Sequence, residues 1–182
     1  MLRRHLLRAV AGAAIALSAI VFAPPASAVE IQATTLYYDD SRAAEFKADV
    51  ARGMDVWNAS VTNVRIVKAP AGVRANIVVI ADDGWPRAQL GPVRPGRQVV
   101  WYFGRQAVQQ GYNRVRIAAH ETGHSLGLPD IKPGPCSSLM SGSTGGVSCT
   151  NAYPNATERS RVQNNYATLT AGVSTGTTFI TD

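Results

Sequence analysis

Two histidines four residues apart, followed by a glycine and a proline, constrain this chain more than any other feature. His120 and His124 project from one face if they lie on a helix, because four residues make about one helical turn. Gly127 can adopt the left-handed conformation that turns a chain out of a helix, and Pro129 cannot continue one. The pattern predicts a helix over residues 113–126 that ends in a sharp turn.

The rest of the chain alternates between strand and helix patterns. Runs rich in β-branched and aromatic residues predict four strands, at residues 34–38, 64–68, 75–81 and 98–103. Apolar residues at helical spacing predict two further helices, residues 41–58 with Ser41 as N-cap and residues 156–169. Residues 84–96 hold three prolines and three glycines, which indicates an irregular segment or a short edge strand.

The N-terminus has the parts of a secretory signal peptide. Residues 1–8 carry three arginines, residues 9–22 are uncharged and apolar, and Ala26-Ser27-Ala28 supplies the small residues of a cleavage site. The apolar run is too short to span a bilayer, which needs about 20 residues. We expect a signal peptide at 1–28 and one secreted domain at 29–182, with an uncleaved N-terminal anchor as the alternative.

The net charge argues against nucleic acid as a partner. Removal of residues 1–28 lowers the formal charge from +6 to +3, which is too little and too scattered to favour nucleic acid. We expect no membrane partner after signal removal, and a monomer.

The only two cysteines, Cys136 and Cys149, are typical of a disulfide in a secreted chain rather than of a thiol enzyme. Closing that loop stabilises a fold by about 3 kcal/mol on the chain-entropy model. A pair of zinc thiolates is disfavoured, because neither cysteine belongs to a C-x-x-C pair.

The histidine pair is also typical of a zinc site that activates water. Glu121 lies next to the first histidine, where a carboxylate takes the proton of the attacking water and returns it to a leaving amine. Two alternatives remain: the histidines are ordinary helix residues with Glu121 a solvated neighbour, or the zinc is structural. A structural zinc normally has four protein ligands, and no fourth ligand stands at an obvious spacing.

A catalytic zinc needs three protein ligands, and the remaining histidine, His5, lies in the predicted signal peptide. Asp130 is the best candidate for the third ligand, because the turn at Gly127 allows a residue three positions later to return to the metal. Less constrained alternatives are Asp39, Asp82 and Asp83.

At these residues the sequence resembles the metzincin clan of zinc endopeptidases, and more closely the snapalysins, small neutral proteases secreted by streptomycetes. The snapalysin pattern H-E-x-x-H-x-x-G-x-x-D is matched at every fixed position. The resemblance continues through Gly134-Pro135-Cys136, Leu139-Met140-Ser141-Gly142, Cys149-Thr150-Asn151 and Tyr153-Pro154-Asn155.

The resemblance implies an α+β, metzincin-like fold: a twisted mixed sheet of four to five strands, mostly parallel with an antiparallel edge strand, backed by helices that include an active-site helix and a C-terminal helix. Substrate would lie along the edge strand as an added strand. The resemblance further implies that His120, His124 and Asp130 bind one zinc ion, that Glu121 is the general base and that Met140 forms the Met-turn beneath the metal. It also implies a disulfide between Cys136 and Cys149.

Two positions depart from the snapalysin pattern. Lys132 stands where the family tends to have a tyrosine. We expect its side chain to face solvent, because burying a lysine is costly, with donation to the oxyanion of the reaction as the alternative. Asn113 and Val115 replace the aspartate and threonine of the family's calcium site, so calcium is not expected here.

The resemblance thus implies a secreted zinc-dependent endopeptidase acting on protein or peptide substrates, with a preference for aromatic residues after the scissile bond. Two alternatives remain open. One is a zinc-binding interaction module without proteolysis, against which Glu121 argues, and the other is a zinc hydrolase of a non-peptide amide.

Overall fold

The computed structural model describes residues 33–167 and 179–182, so the predicted signal peptide lies outside the described residues. Within them, six strands form one sheet: β1 Thr34–Arg42, β2 Val64–Lys68, β3 Ile77–Asp82, β4 Arg87–Gln89, β5 Val99–Gly104 and β6 Phe179–Thr181. The helices are α1 Lys47–Ser60, α2 Arg105–Gln109, α3 Arg114–Ser125 and α4 Ala156–Ala167, with 3₁₀ turns at Ala44–Phe46 and Leu139–Gly145.

The sheet has the order β2-β1-β3-β5-β4-β6. Strands β2, β1, β3 and β5 run parallel, whereas β4 is antiparallel to β5 and β6 is antiparallel to β4. The predicted α+β class, with a mostly parallel sheet and an antiparallel edge, is confirmed. The described residues contain six strands rather than four to five, because β6 adds a strand outside β4.

The start of α1 differs from the sequence prediction. Ser41 is not an N-cap, because β1 continues to Arg42, which pairs with Ile80 of β3 beyond a bulge. The backbone N–H of Ser41 donates to the carboxylate of Asp39 at 2.8 Å. Pairing with the neighbouring strand therefore satisfies this segment, and α1 begins only at Lys47, after the 3₁₀ turn.

Helices α1 and α3 pack closely against each other. A Cβ added at Gly53 of α1 would lie 2.6 Å from the Cβ of Ala118 and 2.8 Å from its carbonyl carbon, so the glycine allows the two backbones to approach. Trp57, fully buried on the same helix, donates from Nε1 to the carbonyl oxygen of Ala119 at 2.8 Å. This contact fixes the position of α3 in the core.

The C-terminal part of the described chain is held by a disulfide and by α4. Cys136 and Cys149 form the disulfide that the sequence predicts. Helix α4 begins at Ala156 as predicted, and its last described residue is Ala167. Among residues 33–167 and 179–182, no helix combines the length and the apolar character that a membrane span requires.

The contact between α1 and α3 predicts the effect of Gly53→Ala. Helix propensity alone would favour alanine by about 1 kcal/mol. The added methyl group collides with the α3 backbone, however, so we expect a net loss of about 1–3 kcal/mol in the free energy of unfolding. Urea denaturation measures it.

Asp55→Ala, an exposed position on the same helix, is the control and should change stability by no more than about 0.5 kcal/mol. A Gly53→Ala protein as stable as the parent would contradict this account of the packing.

Candidate metal centre

Helix α3 carries His120, Glu121 and His124 in the interior, with exposed fractions of 1%, 0% and 0%. The side chain of Asn113 caps the helix by accepting a hydrogen bond from the Arg116 N–H at 2.9 Å. At the other end, Gly127 has φ of +93°, the left-handed conformation that the sequence predicts. The chain then turns back toward the helix.

That turn brings Asp130 to the histidine pair. The Nε2 atoms of His120 and His124 are 3.0 Å apart, and Asp130 Oδ1 lies 3.3 Å from the first and 3.5 Å from the second. Ligand atoms of a tetrahedral zinc, at about 2.0–2.1 Å from the metal, are separated by roughly 3.3 Å. The triangle therefore has the size that one zinc ion requires.

Backbone carbonyls set the orientation of both imidazoles. Nδ1 of His120 lies 3.0 Å from the carbonyl oxygen of Leu139, and Nδ1 of His124 lies 2.7 Å from that of Leu128. A carbonyl oxygen only accepts hydrogen bonds, so each Nδ1 carries the proton. When both imidazoles are neutral, their Nε2 lone pairs therefore converge with the carboxylate of Asp130, which is an arrangement that attracts a cation.

Unpartnered oxygens complete the picture of a metal centre. In the part of the chain that the structure describes, both carboxylate oxygens of Glu121 and Oδ1 of Asp130 are buried without a hydrogen-bond partner. Buried carboxylates are costly unless they are paired or bind a metal. Two nitrogens and a carboxylate oxygen are ligands that zinc takes, so these residues fit the metal that the sequence predicts.

Burial and neighbouring charges shift the pKa values of Glu121, His120 and His124. Burial raises the pKa of Glu121 to about 8. Burial also opposes the charged form of His120, but the adjacent carboxylate of Asp130 and the other negative charges nearby outweigh it and raise the pKa of His120 to about 9. Burial lowers the pKa of His124, which favours its neutral form. A metal entering the site must displace the proton on His120.

Met140 packs against the backbone of α3 at Gly123, which lies between the two histidines in sequence. Its side chain is fully buried, and a Cβ at Gly123 would meet its sulfur at 2.7 Å and Trp57 at 3.2 Å. Only glycine fits at position 123, because the Met140 side chain fills the space that a Cβ would need. Met140 therefore supports the backbone that carries the ligands.

Sequence reasoning missed the role of Glu158, which lies in the first turn of α4. This buried carboxylate accepts hydrogen bonds from the Ser138 hydroxyl at 2.6 Å and from the N–H groups of Leu139 at 3.2 Å and Met140 at 2.9 Å. It thus holds the segment whose carbonyl orients His120.

Arg116 was missed as well. Its guanidinium, buried beside the same segment, donates to the carbonyl oxygens of Ser138 at 2.8 Å and Asn151 at 2.5 Å and to the Ser141 hydroxyl at 2.9 Å. No sequence signal reveals such partners, because they lie 22 to 35 residues away along the chain.

The alternative acidic ligands lie elsewhere. Asp82 forms an ion pair with Arg87 at 2.8 Å, exposed Asp83 pairs with Arg105 at 2.7 Å, and Asp39 accepts the Ser41 N–H. Of the four candidates, the structure brings only Asp130 to the histidines.

Lys132 is exposed as a residue, but its ammonium group contacts two carboxylates rather than solvent alone. Its Nζ lies 3.3 Å from Asp130 Oδ2 and 2.8 Å from Asp182 Oδ1, and its side chain is only 24% exposed. Burial lowers the pKa of this lysine, but the hydrogen bond and charge of Asp182 outweigh it, so the net shift is upward and the ammonium form is stabilised. The acidic partners offset the cost of burying the lysine.

Comparison with known proteins gives a consistent result. Residues 33–169 match the model of a family described as Streptomyces extracellular neutral proteinase (M7). The chain is 45% identical over 136 residues to an extracellular small neutral protease of Streptomyces sp. (strain C5), which covers 74% of this chain and 57% of that protein. It is 43% identical over 128 residues to an extracellular small neutral protease of Streptomyces caespitosus, covering 70% and 93%.

The chain spans 57% to 60% of the length of the extracellular small neutral proteases from Streptomyces sp. (strain C5), Streptomyces lividans and Streptomyces coelicolor. A hatching-enzyme zinc protease from the medaka fish, Oryzias latipes, is similar over 54% of this chain and 46% of its own, with a TM-score of 0.41 and 22% identity. That likeness is too partial to support an argument.

The hydrogen bonds of Glu158 allow a prediction for the Glu158→Gln substitution. In Glu158→Gln, an amide NH₂ replaces one acceptor among buried N–H and O–H donors, so we expect the free energy of unfolding to fall by about 2–3 kcal/mol. Release of the Leu139 carbonyl that orients His120 should also weaken zinc binding by about tenfold. Urea denaturation and competition with a chromophoric chelator measure the two effects.

Glu45→Gln is the matched control, since that carboxylate is exposed and pairs only with Arg105 in the described structure. It should leave zinc affinity unchanged. If both variants bound zinc as tightly as the parent, Glu158 would have no part in orienting the ligand.

Proposed function

The chain belongs to the Streptomyces extracellular neutral proteinase (M7) family, and on that premise we propose that it is a secreted zinc endopeptidase. In this proposal His120, His124 and Asp130 hold the metal and Glu121 is the general base. The observation that carries it is the convergence of the two Nε2 atoms and Asp130 Oδ1 within 3.5 Å of one another, beside a buried carboxylate that lacks a partner in the described residues.

Zinc bound by these residues would polarise the carbonyl of a peptide bond and lower the pKa of water. The chain's own contribution to proton transfer is the carboxylate of Glu121. It accepts the proton of the attacking water and delivers it to the nitrogen of the leaving amine. Its burial excludes bulk water from that exchange.

The surrounding residues keep this geometry ready. Leu139 and Leu128 fix the imidazoles through their carbonyl groups, and Met140 fills the space under Gly123. Such preorganisation matters because misplacing a reacting group by about 1 Å can cost a hundredfold in rate.

We further propose that substrates are proteins or peptides that add as a strand to β4. The family resemblance adds a preference for aromatic residues after the scissile bond. Cleavage of residues 1–28, a single domain at 29–182, action outside the cell as a monomer, and the absence of nucleic-acid and membrane partners are parts of the same proposal. The relatives' names, which describe extracellular proteases, support the location.

Neither alternative is favoured by a specific observation. An interaction module that only binds zinc has no use for a buried carboxylate such as Glu121 beside the ligands. A hydrolase of a non-peptide amide would use the same chemistry, and assays with protein and small amide substrates separate it from a protease.

Replacement of the general base should separate catalysis from metal binding. We expect Glu121→Gln to retain zinc, because Glu121 is not among the proposed ligands, and to lower kcat/KM on casein peptides by about 10²–10⁴-fold. Metal analysis and a fluorogenic peptide assay measure both. Chelation of the parent protein should abolish hydrolysis, and added zinc should restore it.

Asp130→Asn tests the ligand set in the same experiment and should lose zinc, whereas Glu45→Gln should retain both zinc and activity. If the metal-loaded protein hydrolysed no protein substrate, the proposed function would be wrong. Full activity in Glu121→Gln would remove Glu121 from the mechanism.

A further inference from the structure

Strand β6 lies on the sheet edge that the proposed function assigns to substrate. Phe179, Ile180 and Thr181 pair antiparallel with residues 89, 88 and 87 of β4. The N–H of Asp182 extends the pairing by donating to the carbonyl oxygen of Pro86 at 3.1 Å. An added strand of this kind is how extended peptides bind an exposed sheet edge. A segment of the chain itself therefore lies where a substrate strand would bind.

The residue after β6 enters the metal centre. Asp182 Oδ1 lies 3.6 Å from His120 Nε2, and the side chain is only 8% exposed. Ligand atoms of His120, Glu121 and Asp182 lie within 4.8 Å of one another, so they form a second group able to hold a metal. A catalytic zinc with three protein ligands keeps a fourth position for water or substrate. The second group shares His120 with the proposed zinc ligands, which brings the Asp182 carboxylate next to the metal centre.

Specific contacts hold the Asp182 carboxylate. Its Oδ1 accepts hydrogen bonds from the Ser143 N–H at 3.1 Å and from Lys132 Nζ at 2.8 Å. A Cβ at Gly142 would lie 2.8 Å from Asp182 Cγ, so the absence of a side chain there makes room for the carboxylate. Lys132 also reaches the carbonyl oxygen of Thr181 at 3.4 Å.

We propose that Asp182 supplies a fourth ligand to the metal while β6 covers the peptide-binding edge of β4, so that residues 179–182 are an internal inhibitor of the enzyme. The inhibitory role rests on the proposed function, whereas ligation by Asp182 does not. The inhibitor is held weakly: β6 has three residues, and Phe179 is half exposed with its ring 6.3 Å from that of Tyr102. A longer substrate strand can therefore displace it.

Zinc affinity tests the ligand without relying on activity. We expect Asp182→Ala to bind zinc about tenfold or more weakly in competition with a chromophoric chelator, because one charged ligand is lost. The visible absorption of the cobalt-substituted protein should change as well. Asp55→Ala, which removes an exposed carboxylate from α1, is the matched control and should change neither. Unchanged affinity and spectrum in Asp182→Ala would overturn ligation by Asp182.

Inhibition is tested on Asp182→Ala and on a variant that lacks residues 179–182, after thermal denaturation has verified folding. Both should show kcat/KM on a fluorogenic peptide raised by about tenfold or more over the parent, since the fourth position is open to water and substrate. Equal kcat/KM in the parent and both variants would overturn the inhibitory role.

A synthetic peptide supplies the missing strand in trans. Phe-Ile-Thr-Asp should bind the zinc-loaded truncated variant in calorimetry and inhibit it competitively, whereas Phe-Ile-Thr-Asn should bind more weakly. Lack of binding by the first peptide would overturn the occupancy of the β4 edge. If no variant hydrolysed any peptide, the proposed function and the inhibitory role would fail together, while zinc affinity would still decide ligation by Asp182.

Discussion

The burial of α3 against α1 is the constraint on which the rest of the metal centre depends. Gly53 lets the two helix backbones meet, and Trp57 ties them together through the carbonyl of Ala119. This contact places the polar half of α3 in the protein interior, where His120 and His124 are shielded from water. Imidazoles in such surroundings need fixed partners, and the neighbouring segments supply a backbone carbonyl to each of them.

Those partners come mainly from the loop between α3 and α4. The loop offers the Leu139 carbonyl to His120, and it is itself held by two buried charged side chains, Glu158 and Arg116. Each charged group has several hydrogen bonds that compensate for its loss of water. Met140 fills the remaining space against Gly123. The loop, which contains the disulfide between Cys136 and Cys149, therefore packs beneath the ligands.

An open sheet edge exposes a protein to unwanted pairing, and we propose that this edge also binds substrate. In this chain β6 covers that edge, and Asp182 and Lys132 connect it to the ligands. The arrangement joins edge protection to control of the metal, because the strand that covers β4 also delivers a carboxylate. Lys132 belongs to this connection, which explains how a lysine is retained next to a proposed zinc site.

Local sequence determined α3 and its turn, because the Asn113 cap, the histidine spacing and Gly127 act within a few residues of one another. The turn at Gly127 indicated Asp130, the even cysteine count indicated the disulfide, and the resemblance to the snapalysins indicated Met140. Only the tertiary structure decided the end of β1 at Arg42, where sheet pairing overrides the Ser41 cap signal. The same holds for Lys132, whose partner Asp182 lies 50 positions further along the chain. Residues so far apart meet only through β6 on β4, and three residues are too few to show a strand periodicity.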